Sequence, residues 1–72
     1  MKTYEDFLNE KLYSEKFNLH AYFVSKNNQI FIVQDKSDKV ILFKMLFHPD
    51  YYDILLIAAL QLLETTTMTS YI

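Results

Sequence analysis

The 72-residue chain contains no glycine, no cysteine and no arginine, and it has a single proline. Each absence removes a class of structure or chemistry. Without glycine, every turn that needs a positive φ must use Asn, Asp or another L-residue, and a phosphate-cradling glycine loop is excluded. Without cysteine there is no disulfide and no Cys/His zinc site, so a small core has no covalent staple. Cysteine-free composition also fits a reducing compartment. Without arginine, all seven basic residues are lysine, and the planar forks that grip phosphate or guanine are missing. With a formal net charge of −2, sequence-independent binding to a phosphate backbone is also disfavoured.

Long apolar runs are missing too. The longest, ILLIAALQLL at residues 54–63, has nine apolar residues in ten, whereas a membrane-spanning helix needs about twenty. The start, MKTYEDFLNE, carries acids where a secretory peptide has an apolar core. The expectation is one cytoplasmic domain over residues 1–72, with no membrane association. What is abundant is Lys, Asn, Ile, Tyr and Phe. That usage points to an AT-rich genome, hence to a low-GC bacterium or its phages and plasmids.

The spacing predicts a helix opening at Thr3, with Asp6 in a capping-box position. Its apolar stripe is Phe7, Leu8 and Leu12, with Glu5, Asn9 and Glu10 facing water, and Asn18 is the stop. LHAYFV at 19–24 reads as a strand, Asn27-Asn28 as a hairpin turn and IFIV at 30–33 as the return. A second turn at 35–38 leads to a long strand over 40–48, with Ile41, Phe43, Met45 and Phe47 on one face. Pro49 suits the first turn of a second helix, and Asp50 and Asp53 complement its dipole. That helix is expected to end near Glu64, followed by a fraying or extended tail over 65–72. The fold class is therefore α+β: a single small α-β-β-β-α domain, with a three-stranded antiparallel sheet and both helices packed on one face.

This order resembles the double-stranded-RNA-binding domain in topology. That family has a lysine-rich start to its second helix and a Gly-Pro-x-His loop between its first two strands. The corresponding places here read PDYYD and SKNNQ. Acids stand where phosphate would lie, so the resemblance does not extend to RNA binding.

The second helix has more apolar surface than one sheet can cover. On a wheel at about 100° per residue, apolar residues occupy roughly 240°, whereas a sheet-packed helix needs a stripe of little more than 100°. Ile57 even interrupts the polar stripe of Asp53, Gln61 and Glu64. In the third strand, the face opposite Phe43 carries Leu42, Lys44 and Leu46, so both faces of the sheet are apolar. Surplus apolar surface of this kind marks contact surfaces. The candidate partner-binding residues are Tyr51, Tyr52, Asp53, Leu56, Ile57, Leu60 and Leu63 on the helix, and Leu42, Lys44 and Leu46 on the sheet.

No catalytic, cofactor-binding or metal-binding motif is present, and no small-molecule substrate is expected. His48, Asp50 and Asp53 could hold a metal, but the ordinary reading is a helix start. His20 and His48 read as structural histidines. The expected function is a non-enzymatic protein-interaction module, a phage or mobile-element inhibitor or modulator of a host protein. The alternatives are a structural homo-oligomer, such as a dimer through the second helix, and, further behind, a nucleic-acid-binding module.

Overall fold

A computed structural model describes residues 2–69. Helix α1 (Tyr4–Leu8) is followed by four strands, β1 (Lys11–Ser14), β2 (Leu19–Lys26), β3 (Gln29–Gln34) and β4 (Val40–Phe43). A 3₁₀ turn (Pro49–Tyr51) then leads into α2 (Tyr52–Thr69). The strands form an antiparallel meander in the order β1-β2-β3-β4. The protein is a small α+β domain with two helices on one face of the sheet.

The expected capping box is present. The Thr3 hydroxyl accepts from Asp6 N–H, and Thr3 N–H donates to Asp6 Oδ2 at 2.9 Å. That backbone bond holds the Asp6 carboxyl below the usual carboxylate range. The helix it starts is much shorter than expected, and the sheet has four strands, not three. Residues 11–14 form the added edge strand, so the topological likeness to the double-stranded-RNA-binding domain does not hold. The local pattern was ambiguous. Leu12 lies four residues after Leu8, a helical spacing, but Lys11, Leu12, Tyr13 and Ser14 also alternate exposed and buried. Pairing with the eight-residue β2 decides for strand, because it satisfies a row of β2 backbone groups that a helix would leave open.

Among the described residues, five take positive φ, namely Asn18, Asn27, Asn28, Lys36 and Asp38. They replace the missing glycines at the three strand connections. Asn27 and Asn28, at φ 54° and 62°, make a two-residue hairpin between Lys26 and Gln29, the backbone signature of a type I′ turn. Asn18 ends the β1–β2 turn and not a helix.

Strand β4 stops at Phe43, five residues before the expected end. Its partner β3 begins at Gln29, and Ile30 already faces Phe43, so little ladder remains. The alternation nevertheless continues, with Met45 and Phe47 partly buried against the core and Lys44 and Leu46 exposed. At the other end of the chain, α2 runs through Thr65 to Thr69 and not to Glu64. Thr is only modestly worse than Ala in a helix, and extending an existing helix needs no new nucleus. Residues 70–72 of the expected tail lie outside the described residues.

The core lies between the sheet and both helices. Phe7 is fully buried, with its ring 4.6 Å from Phe23, 5.6 Å from Tyr52 and 5.7 Å from Phe47. Around it pack Leu12, Ala21, Ile30, Ile32, Ile41 and Phe43 from the sheet, and Ala59 and Leu63 from α2.

Candidate interaction surface

The strand register puts the inward residues in one layer, and it therefore defines the layer facing away. Two apolar rows cross the outer face: Tyr22, Val33 and Val40, then Val24, Phe31 and Leu42. Val40, Leu42 and Val24 are exposed. Val33, flanked in its row by Tyr22 and Val40, is already nearly covered. A shallow depression of about 280 Å³ opens among Val24, Lys26, Phe31, Val33 and Val40. Lysines border the rows. Lys11 sets its ammonium 5.6 Å from the Tyr22 ring centre, and Lys26 and Lys44 lie at the hairpin end. Beyond them Leu46 is 95 % exposed, almost the whole side chain in water.

The second surface is the outer side of α2. Tyr52, Ala59 and Leu63 fix the inward direction, being 5 %, 0 % and 0 % exposed. Helical geometry then turns Ile54, Ile57 and Gln61 outward. Ile54 and Ile57 are 61 % and 58 % exposed. Leu56 and Leu60 lie at the flanks, partly buried against the core, and Asp53 is exposed.

Of the candidate residues, Leu42, Lys44 and Leu46 thus fall together by the sheet face, and Asp53 and Ile57 together on the helix. Tyr51 is exposed in the turn before α2, 5.6 Å from His48 ring to ring. Tyr52 and Leu63 belong to the core and drop out as contact residues: both project toward the sheet. Sequence reasoning missed Tyr22, Val24 and Ile54. The signal for the first two was available in AYFV, whose alternate residues must point to opposite faces.

Two carboxylates read as solvent-facing hold the structure instead. Glu10 accepts the Tyr52 hydroxyl at 2.7 Å, tying the start of α2 to the loop after α1. Glu64 accepts the buried Ser14 hydroxyl at 2.6 Å, tying the far half of α2 to the end of β1. Turning Glu64 inward leaves the outer face of α2 more apolar than the wheel suggested.

His48 and Asp50 make the helix start. His48 is the N-cap, and its Nδ1 accepts from Asp50 N–H at 3.1 Å. Among the described residues, no group of three or more His, Asp or Glu side chains is placed to hold a metal ion. No helix among them is long and apolar enough to cross a membrane.

Burial of the ring, reinforced by the Glu10 carboxylate at its hydroxyl, pushes the Tyr52 phenol up to about 12. An unfolded tyrosine ionises near 10. Between those values the unfolded chain gives up this proton and the folded one keeps it. The contribution of Tyr52 to stability is therefore fully present below pH 10 and is lost as pH rises toward 12. Denaturation curves across this range should show a steeper alkaline loss for the wild type than for Tyr52→Phe. Equal slopes would mean that the hydroxyl is not held as described.

Comparison of the chain with protein-family models, curated proteins and solved structures finds no match. The functional reading therefore rests on the geometry.

Proposed function

We propose that this protein is a small non-enzymatic interaction module that binds another protein through its uncovered apolar faces. The observation that carries the reading is the pairing of two such faces on one 8.6 kDa domain. Val40, Leu42 and Leu46 stand exposed on the sheet side, and Ile54 and Ile57 on the helix side. Contiguous apolar surface on a small domain weakens solubility unless something covers it. Burial in a complex also adds stability to a core too small to be strongly stable alone. In a low-GC bacterial setting, such a module acts by occluding or modulating a larger host protein, as a phage or mobile-element factor does. It works in the cytoplasm and needs no cofactor.

Affinity capture from a host lysate tests this, with two variants as controls. Leu42→Asp and Ile57→Asp each put a carboxylate on one face at an exposed position, so both should fold. Wild type should retain a stoichiometric protein that one or both variants lose. Identical capture by all three proteins would remove the role assigned to these faces. Steeply salt-dependent binding of RNA or DNA in place of protein would favour a nucleic-acid module instead.

A further inference from the structure

The two faces differ in charge as well as position. The helix side exposes Glu5, Asp6, Asp50 and Asp53 against Lys2, while Glu10 and Glu64 turn to the Tyr52 and Ser14 hydroxyls. The sheet face carries Lys11, Lys26 and Lys44 around its apolar rows, with Asp35 at the end of β3. The two surfaces lie on opposite sides of the molecule, because α2 packs its inner side on the sheet face that the open rows turn away from.

We infer that a second copy of this chain covers the open sheet face, docking the outer side of its α2 there, head to tail. Each copy then offers what the other lacks. The Ile54 and Ile57 side chains of one meet the Val24, Phe31 and Leu42 row of the next, over the depression of about 280 Å³. Asp53 approaches the lysine border. A helix about 10 Å across suits a patch three strands wide, since strands lie about 4.8 Å apart. The covered sheet becomes apolar on two buried faces, the setting its strands are composed for.

Charge decides against the symmetric alternatives. A sheet-to-sheet dimer sets Lys11, Lys26 and Lys44 against the same lysines. A helix-to-helix dimer sets Asp53 and its exposed acidic neighbours against the same acids, with no lysine on α2 to offset them. Like charges in contact oppose association, and opposite charges steer it. A head-to-tail contact is heterologous, so it leaves a free face at each end and continues past the dimer unless a ring closes.

The inference rests on the reading of these faces as interaction surfaces, and mixing two variants tests it separately. Ile57→Asp blocks the helix side and keeps the sheet side. Leu42→Asp does the reverse. Wild type should show a mass that rises with concentration beyond two chains and falls in high salt. Each variant alone should be a monomer, its self-affinity reduced about tenfold to a hundredfold or more by the lost side-chain burial. The equimolar mixture should give a species of two chains and no larger one, because every joined pair is capped at both ends. Circular dichroism confirms that the variants fold, and Val40→Asp replaces Leu42→Asp should the latter not fold. A wild type that stays monomeric in low salt overturns the head-to-tail contact. So does a mixture that does not pair, or one variant that still associates like wild type. None of these results touches the wider reading, which depends on whether the same variants lose a captured partner.

Discussion

Phe7→Ala should leave most of the chain unfolded at room temperature. Phe7 touches β2, α2 and the segment before α2 at once, through Phe23, Tyr52 and Phe47. It is fully buried. Truncating a buried Phe to Ala costs about 3–5 kcal/mol, because lost transfer energy and the cavity add. A domain of this size has a total stability on the order of 5 kcal/mol, so the substitution consumes most of it. The neighbours cannot collapse into the space easily, since Phe23 and Tyr52 are held by the sheet ladder and by Glu10. Urea denaturation followed by circular dichroism reads the result. A cooperative transition within about 1 kcal/mol of wild type would show that the three elements do not depend on this ring.

Ser14→Ala should cost about 1.5–3 kcal/mol, a large effect for the loss of one oxygen. The Ser14 hydroxyl is buried, donates to Glu64 Oε2 at 2.6 Å and accepts from Phe17 N–H at 3.3 Å. Removing it leaves a half-buried carboxylate and a backbone donor short of a partner. The same substitution on a Glu64→Ala background should cost at least about 1 kcal/mol less, because the charged acceptor is already gone. Strictly additive losses would mean that the bond contributes nothing beyond its two separate ends.

How far the sequence revealed this fold can be read from these same residues. Thr3 with Asp6, the Asn27-Asn28 hairpin and the alternation from Val40 to Phe47 were legible, because each depends on neighbours within a few positions. β1 was not. Leu8 and Leu12 satisfy a helical period, and only the free edge of β2 tips residues 11–14 into a strand. Glu10 and Glu64 were misread for a related reason. A carboxylate on a polar stripe looks solvated until a hydroxyl 42 or 50 residues away is brought against it. On the candidate surface, Ile57 was legible as an apolar residue on a polar stripe, and it is exposed in the structure. Tyr52 and Leu63 look alike to it in the sequence, because the helix is apolar nearly all round, which hides the inward direction. The register of four strands was needed to show that Tyr22 and Val24 share a face with Leu42.

A second copy of the chain on the open sheet face requires self-association in solution. Light scattering reads this in the mass of the unmodified protein, from micromolar to millimolar concentration, in low and then high salt. The mass should climb above 8.6 kDa with concentration and fall back as salt screens the lysines from Asp53 and its exposed acidic neighbours. A mass of 8.6 kDa at every concentration and salt would rule out the head-to-tail contact.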